Sequence, residues 1–341
     1  MNVEERVLLL PLTTFKMGGD AKFFAELTSI EDVINFSEFA KSKNLPLIIL
    51  GGGSNVIFND TGVIEAAVGH MKIRGFEVIS KSDQEVYIRV GAGEAWDSVV
   101  ARIVHMGLQG VEALSAIPGS TGATPVQNVG AYGQEIADVL VSLEAYDTEE
   151  KKVIVLDREA CKFTYRDSIF KHEGKDRYII MSITLKLSKK PPQFPEYPGI
   201  KAYFKEKSLE NPTLQQIRDA IIEIRKRKLP DPTIVASCGS FFKNPIVPKS
   251  VADKIKAMHH SAVVFEVSAD QSKIGAGWMI DTLGLKGREF GNLRIYPHNA
   301  LVVVNKGGAS KKELLELVEY LQKEVMNAFG VTLEPEPVFV L

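Results

Sequence analysis

The sequence predicts an α+β protein with more than one domain, and three of its features carry that prediction. Its 341 residues exceed the roughly 150 residues of a typical domain by about twofold. In the first half, apolar runs of strand length alternate with amphipathic patterns of helix length, without a fixed repeat. A proline-rich break at Lys189–Pro212 then separates this half from a second region that again contains helix and strand patterns.

The first predicted elements surround a glycine turn. Ser29 is expected to cap a helix, with Asp32 at the third helical position. The apolar run Leu47–Leu50 is typical of a buried strand and stops at Gly51–Asn55, after which Val56–Phe58 predicts another strand. The glycine turn between these strands is a candidate ligand loop.

The rest of the first half is rich in predicted strands. Gly91–Gly93 is expected to lead from a strand at Val86–Val90 into a helix near Trp96, whose indole we expect in the core. The other predicted strands are Val141–Tyr146, Lys152–Leu156 and Ile179–Leu187.

Helix signals return after the proline-rich break, which is either a linker or a functional lid. Thr213–Gln216 and Ser310–Glu313 both match a capping box, and each precedes an apolar stripe at helical spacing. Gly330 is placed to end the second helix, and Val331–Leu341 predicts a short terminal strand. We expect a second domain to begin close to Thr213.

Charge and cysteine content exclude several classes of protein. With 41 basic and 43 acidic residues the formal charge is -2, so the sequence predicts no nucleic-acid or membrane partner. Its two cysteines, Cys161 and Cys238, lack CxxC spacing and fit a reducing compartment, and its six histidines show no metal-ligand spacing. The apolar run Val7–Leu12 is too short for a signal peptide or membrane span. We therefore predict a cytoplasmic protein without a metal site.

The strand-rich half contains three glycine-bearing loops: Gly51–Asn55, Gly91–Gly93 and Gly119–Gly133. None matches the GxGxxG or GxxxxGK[ST] signature, which disfavours a Rossmann or P-loop site. Glycines let a backbone approach a ligand closely, and successive N–H groups can bind a diphosphate. Ordinary tight turns are the alternative, which we favour for Gly91–Gly93 alone. The candidate cofactor contacts are Gly51, Gly52, Gly53, Ser54, Asn55, Pro118, Gly119, Ser120, Thr121, Gly122, Gln127, Asn128, Gly130, Ala131, Tyr132 and Gly133.

Eight segments, spread over nearly the whole chain, carry a resemblance to one family. They are TTFKMGG (13–19), ILGGGSNVIF (49–58), IPGSTGATPVQNVGAYGQE (117–135), YRDS (165–168), KLPDP (228–232), GSFFKNP (239–245), AGWMIDTLGLKG (276–287) and LEPE (333–336). In this order they resemble the motifs of the UDP-N-acetylenolpyruvoylglucosamine reductases.

The resemblance implies both a fold and a set of ligands. The implied fold is an FAD-binding domain of the vanillyl-alcohol oxidase type in two α/β subdomains, at 1–68 and 69–208, with a linker or lid at 189–208. A smaller α+β substrate-binding domain is expected at 209–341. The implied ligands are NADPH, UDP-N-acetylglucosamine enolpyruvate and dissociable FAD, since Gly51–Asn55 holds no histidine for covalent attachment. We expect a monomer.

The implied reaction reduces an enolpyruvyl ether to a lactyl ether and yields UDP-N-acetylmuramate for peptidoglycan synthesis. Hydride from the reduced flavin reaches the terminal alkene carbon, and negative charge spreads into the substrate carboxylate. Arg166, in YRDS, is the implied stabilising residue, because a guanidinium binds a carboxylate bidentately and keeps its charge. A surface ion pair with Asp167 is the alternative role for this arginine.

Ser240, in GSFFKNP, is the implied proton donor, if it is held close to the enolate and shielded from water. A turn or helix cap is its alternative role, and Cys238 is a rival nucleophile in the same segment. Glu336 matches the catalytic glutamate of the family, although Pro337 follows it where the family usually has valine.

The implied substrate contacts are Tyr197, Lys228, Asn244 and Asn299. Lys228 also lies in a basic run that is typical of a solvated helix end. Two other functions stay open at this point: a flavin oxidase of an alcohol or lactone, and a sugar-nucleotide-binding protein that has lost its flavin. YRDS and CGSFFKNP disfavour the first, and the intact glycine loops disfavour the second.

Overall fold

The computed structural model describes residues 1–192 and 197–340. The helices are α1 (Ile30–Ser42), α2 (Trp96–His105), α3 (Pro198–Glu206), α4 (Leu214–Lys228), α5 (Lys249–Met258), α6 (Ala276–Thr282) and α7 (Lys311–Phe329). The strands are β1 (Glu4–Leu8), β2 (Asp20–Leu27), β3 (Leu47–Leu50), β4 (Val56–Ile57), β5 (Val63–Met71), β6 (Phe76–Lys81), β7 (Glu85–Gly91), β8 (Gly130–Ala131), β9 (Gln134–Glu135), β10 (Leu140–Asp147), β11 (Lys152–Asp157), β12 (Tyr178–Ser188), β13 (Ala236–Ser240), β14 (Ile246–Pro248), β15 (Val264–Glu266), β16 (Gln271–Ile274), β17 (Glu289–Phe290), β18 (Leu293–Ile295), β19 (Val302–Asn305) and β20 (Val338–Phe339).

The first of two compact units comprises Met1–Val7, Asp20–Gly53 and Val63–Lys226. It contains a four-stranded sheet of order β1-β2-β5-β3 and a five-stranded sheet of order β11-β10-β12-β7-β6. In the smaller sheet β2 and β3 both pair in parallel with β5, and α1 is the crossover that parallel strands require. The larger sheet is antiparallel throughout. The predicted α+β class is confirmed.

Each sheet of the first unit buries one face of a helix. Val33 and Phe36 of α1 pack on the four-stranded sheet, and Val100 and Ile103 of α2 pack on the five-stranded sheet. Trp96 begins α2 fully buried, and its indole N–H donates to the Leu114 carbonyl at 3.2 Å. The core role that we predicted for this tryptophan is confirmed.

Helix α1 begins at the capping box that the sequence predicts. The Ser29 hydroxyl accepts a hydrogen bond from the Asp32 backbone N–H, and the Asp32 carboxylate accepts one in return from the Ser29 N–H. The Thr28 hydroxyl also donates to this carboxylate, at 2.8 Å. These hydrogen bonds, that of Thr28 above all, outweigh the effect of burial and lower the pKa of Asp32 to about 2.

Asp32→Asn is expected to lower the free energy of unfolding by about 1 kcal/mol near neutral pH, because the cap loses its charged acceptor. The folded-state pKa of Asp32 lies below its unfolded value, so its charge stabilises the fold above about pH 4, and that contribution is lost as the pH falls towards 2. Urea denaturation between pH 2 and 7 measures the difference. Glu31→Gln, an exposed change in the same helical turn, is the matched control. A difference that does not vary with pH would contradict a charged cap.

The second unit comprises Leu8–Gly19, Ser54–Gly62 and the chain from Arg227 onward. Its sheets are small: β13-β19-β18-β17, β14-β16-β15 and the parallel pair β20-β4. Helix α7 has the predicted Ser310–Glu313 capping box and ends at Gly330 in a left-handed conformation, with φ 67°. Helices α5, α6 and α7 share one core with Phe15 and Ile57.

The division between the units differs from the boundary that we expected at residue 209. Helix α4 packs with α3 in the first unit, where Ile217 and Ile221 join Ile200 and Phe204 in one cluster. The second unit therefore begins its last segment at Arg227. Strand β5 also continues the first sheet past residue 68, so the expected subdomain boundary falls inside a strand.

Part of the predicted linker or lid is a helix. Pro198 occupies the first turn of α3, where its missing N–H and fixed φ are tolerated. We did not predict this helix, because the prolines of the segment indicated a break in secondary structure. Residues 193–196 of the expected lid lie outside the described residues. At the other end of the chain, the predicted terminal strand is limited to β20.

Candidate active site

The first and third glycine loops lie against each other. A Cβ on Gly51 would lie 2.3 Å from the Ser120 Oγ, and one on Gly52 would lie 2.7 Å from the Gly119 Cα. A Cβ on Gly122 would lie 2.5 Å from the Cβ of Ala92. The Ser120 hydroxyl could rotate away from a side chain at position 51, but backbone atoms and a Cβ cannot move aside in this way. Gly52 and Gly122 are therefore needed for packing between loops, a role that the sequence did not disclose.

The same loops leave backbone donors available for a ligand. The N–H groups of residues 51–53, Gly119 and Ser120 make no hydrogen bond to any residue in the described ranges. Gly53 and Gly119 have φ values of 62° and 127°, which only glycine adopts readily. A run of free N–H groups on such a turn binds anions, so this donor set fits the diphosphate of FAD.

Other predicted cofactor residues are bound within the protein. Asn128 is fully buried, and its amide donates to the Thr164 carbonyl at 3.0 Å and accepts from the Ala137 N–H at 3.2 Å. The Thr121 hydroxyl donates to the Glu94 carbonyl at 3.1 Å. These two side chains therefore shape the loop. The remaining candidates are Pro118, Gln127, Gly130, Ala131, Tyr132 and Gly133 in the first unit, and Ser54 and Asn55 in the second.

Arg166 lies in a tight turn that contacts the third glycine loop. Thr164 and Asp167 exchange backbone hydrogen bonds of 3.1 and 3.2 Å across this turn, and Arg166 has a φ of 55°. Its guanidinium donates to the Gly130 carbonyl. The structure thus brings the predicted catalytic arginine and the predicted flavin loop together within the first unit.

The alternative role suggested for Arg166 was an ion pair with Asp167, but Asp167 has a different partner in the structure. Its carboxylate contacts the His172 Nε2 at 2.7 Å and accepts from the Ser168 N–H at 2.9 Å. Burial disfavours the ionised carboxylate, but these two hydrogen bonds outweigh it and lower the pKa of Asp167. Asp167 therefore pairs with His172 and not with Arg166.

Ser240 is the last residue of β13, where pairing with β19 is interrupted. Ser237 pairs with Val304 and Ser240 with Val302, so β13 has one extra residue in between, and Gly239 has a φ of 74°. Such a bulge re-aims the side chains beside it. The Ser240 hydroxyl makes no hydrogen bond to the other described residues, and the position is not a helix cap.

Glu336 lies beside the Ser240 segment in the second unit. Its N–H donates to the Phe241 carbonyl at 2.9 Å, and its carbonyl accepts from the Asn55 side chain at 3.3 Å. Phe241 and Phe242 are almost fully buried, so the backbone on this side of Ser240 is shielded from water. The structure therefore brings two of the three predicted catalytic residues to neighbouring segments of the second unit.

Cys238 is unsuited to act as the nucleophile. Burial raises the pKa of its thiol far above the ordinary value, and the charge of Glu336 raises it further. The thiolate is therefore not populated at neutral pH. Burial also raises the pKa of Cys161, to about 12.

The four predicted substrate residues fall into separate groups. Asn244 accepts from the Ala276 N–H at 2.9 Å at the start of α6, and the Asn299 Oδ1 would lie 3.9 Å from a Cβ on Gly277. These two asparagines therefore both lie near the start of α6. Lys228 is exposed at the end of α4. Tyr197 belongs to the first unit, where its ring packs edge-on against Tyr132 at 5.2 Å.

Sequence reasoning missed Arg218 and Arg225 of α4. Arg225 lies in the basic run that we interpreted as a solvated helix end, and Arg218 was not among the candidates. In the structure Arg218 pairs with Asp97, and Arg225 donates to the Ala116 carbonyl at 3.2 Å. Their spacing of seven residues places them on one helical face and was the available signal.

Among residues 1–192 and 197–340 we find no cluster of metal-binding side chains. No helix in the same ranges is long and apolar enough to span a membrane.

The fold and the glycine loops define a flavoprotein, and comparisons with known proteins agree. A family model described as an FAD binding domain matches residues 21–156. A second model, for the C-terminal domain of UDP-N-acetylenolpyruvoylglucosamine reductase, matches residues 231–340. This combination defines an FAD-dependent oxidoreductase.

Similar proteins identify the family. UDP-N-acetylenolpyruvoylglucosamine reductase of Pseudomonas aeruginosa is 38% identical over 99% of this chain and 98% of its own length. The protein of the same name from Cupriavidus pinatubonensis is 40% identical over 95% of each chain. The crystal structure of UDP-N-acetylenolpyruvylglucosamine reductase from Thermus caldophilus superposes with a TM-score of 0.72 at 26% identity and covers all of both chains. The chain belongs to the UDP-N-acetylenolpyruvoylglucosamine reductase family.

Proposed function

We infer that this protein is an FAD-dependent oxidoreductase that uses NADPH to reduce UDP-N-acetylglucosamine enolpyruvate to UDP-N-acetylmuramate. The observation that carries this function is near-full-length similarity to curated reductases of this name. The free N–H groups of residues 51–53, Gly119 and Ser120 support the cofactor. Bound FAD would supply hydride transfer between NADPH and the substrate alkene. The product is a precursor of peptidoglycan.

We propose distinct roles for three side chains in this reaction. Arg166 binds the substrate carboxylate and stabilises the negative charge that develops on it. Ser240 delivers a proton to the carbon next to that carboxylate, which its unpaired hydroxyl at the β13 bulge supports. Glu336 orients Ser240 or a water molecule, which the hydrogen bond from its N–H to the Phe241 carbonyl supports.

Binding and location complete the proposal. Asn244 and Asn299, together with Lys228 and Tyr197, contact the uridine diphosphate sugar, and the position of both asparagines near the start of α6 supports this grouping. Candidate FAD contacts are the sixteen loop residues from Gly51 to Gly133 named above. The balanced charge and sparse cysteines support a cytoplasmic protein without nucleic-acid or membrane partners, and we propose that it is a monomer.

Anaerobic spectroscopy of the purified protein tests this function. We expect a yellow protein that NADPH bleaches and that UDP-N-acetylglucosamine enolpyruvate restores to yellow. A colourless protein that does not bind added FAD would support a sugar-nucleotide-binding protein. Bleaching by an alcohol or a lactone, with no response to the enolpyruvyl substrate, would support an oxidase and contradict the reductase.

A further inference from the structure

Two strained residues mark the ends of the third glycine loop. Ala116, just before the loop, has a φ of 58°, and Tyr132, at its end, has a φ of 52°. Tyr132 and Gly133 are the central residues of the β8–β9 hairpin, which accounts for a left-handed turn there. Residues with a side chain rarely adopt this conformation, and they keep it only where their surroundings hold them.

One side chain holds both of these residues. The Arg225 Nε donates to the Ala116 carbonyl at 3.2 Å, and the Arg225 guanidinium lies close enough to the Tyr132 hydroxyl for its charge to act on that group. Burial lowers the pKa of Arg225 and raises that of Tyr132, but a guanidinium keeps its charge at neutral pH. A hydrogen bond from a charged donor is stronger than one between neutral groups. Arg225 therefore ties the two ends of the loop to helix α4.

The same face of α4 also fixes the backbone N–H of Ala116. This N–H donates to the Asp97 carboxylate at 2.6 Å. Arg218 lies seven residues before Arg225 on the same face of α4. Its guanidinium binds both carboxylate oxygens of Asp97, at 2.6 and 2.9 Å. Both polar groups of the Ala116 backbone thus depend on arginines of α4. Tyr197 in turn rests edge-on against Tyr132, so the same contacts also support that ring.

We propose that Arg225 is a positioning residue for FAD binding: it holds Ala116 and Tyr132 in their left-handed conformations and so keeps the intervening N–H groups aligned on the FAD diphosphate. This inference rests on the proposed function, because it assumes that residues 119–133 bind FAD. Arg225 acts through the loop backbone and is not assigned a contact with the reacting atoms.

Equilibrium titration of each apoprotein with FAD, followed by flavin fluorescence, tests the role. Arg225→Met is expected to raise the FAD dissociation constant about 30-fold, since a half-buried carbonyl and a half-buried hydroxyl both lose a charged neighbour. Tyr132→Phe, which removes one of these two contacts, is expected to raise it about fivefold. Lys226→Met is the matched control, because Lys226 is an exposed basic residue on the same helix. We expect it to bind FAD like the wild type.

Two further variants separate positioning from general destabilisation. Ala116→Gly combined with Arg225→Met should regain most of the lost affinity, because glycine adopts a φ of 58° without being held. Tyr132→Phe combined with Arg225→Met should bind FAD no more weakly than Arg225→Met alone, since both changes remove the same contact.

Several results would overturn the inference. An unchanged FAD dissociation constant for Arg225→Met would do so, as would a loss that Ala116→Gly does not reduce. If Arg225→Met does not fold, the test rests on Tyr132→Phe alone. An FAD dissociation constant of Tyr132→Phe equal to that of the wild type would then contradict the inference. Failure of both the wild type and Lys226→Met to bind FAD would overturn the proposed function, whereas normal binding by both shows that only the inference is at issue.

Discussion

Ser240→Ala is expected to slow the recolouring of the reduced protein by UDP-N-acetylglucosamine enolpyruvate by about 10²–10⁴-fold, the range typical of lost general acid catalysis. Bleaching of the oxidised protein by NADPH should stay within about twofold of the wild type. The two steps differ because only the second needs a proton on the substrate carbon. Stopped-flow absorbance of the flavin, under anaerobic conditions, measures each step separately.

A matched control comes from the same strand. Ser237→Ala also removes a hydroxyl from β13, three residues before Ser240, and is expected to leave both steps nearly unchanged once the protein is saturated with FAD. The two serines differ in exposure, since Ser237 is buried whereas Ser240 is half-buried at the end of the strand, where a ligand can reach it. Equal slowing of bleaching and recolouring by Ser240→Ala would show that this serine is structural, and the proposed role would then be wrong.

Local signals in the sequence were sufficient for much of the fold. The capping boxes at Ser29 and Ser310 depend on residues three positions apart, and both helices begin where those residues indicate. The left-handed end of α7 at Gly330 is equally local. Strand positions followed from apolar runs. The sequence did not predict which sheet each strand joins, because strand pairing depends on contacts between distant parts of the chain.

Tertiary contacts decided what the sequence could not. Helix α4 has the amphipathic pattern of any surface helix, and only packing against Ile200 and Phe204 assigns it to the first unit. The segments 8–19 and 54–62 belong to the second unit because residues such as Phe15 and Ile57 pack in its core. Nothing in the composition of these segments indicates that they belong to this unit. Arg225 lay within a basic run, and its contact with Ala116 becomes visible only in three dimensions.

The candidate site shows the same limit at the level of single residues. Glycine density marked these loops, but it could not separate glycines that a neighbouring backbone approaches closely, such as Gly52, from those in open space, such as Gly133. That distinction depends on how near the neighbouring backbone lies. For Asn128 the polar side chain suggested a ligand contact, whereas its partners are the Thr164 carbonyl and the Ala137 N–H.

Arg166→Met is expected to slow recolouring by the enolpyruvyl substrate about 10²–10³-fold, because the charge that develops on the substrate carboxylate loses its stabilising guanidinium. Since Arg166 also donates to the Gly130 carbonyl in the flavin loop, FAD binding should weaken as well, and the rates must be compared at saturating FAD. Arg166→Lys should fall between the wild type and Arg166→Met, because an ammonium keeps the charge but cannot form the two parallel hydrogen bonds of a guanidinium.

Arg158→Met separates the two contributions of Arg166. The Arg158 Nε donates to the Ala137 carbonyl at 2.6 Å, so this variant also removes an arginine from a backbone carbonyl close to the same loop. It should weaken FAD binding at most modestly and leave recolouring at saturating FAD unchanged. If Arg158→Met slowed recolouring as much as Arg166→Met, the effect of Arg166 would lie in loop structure. A slowdown confined to Arg166→Met would place its guanidinium on the substrate carboxylate.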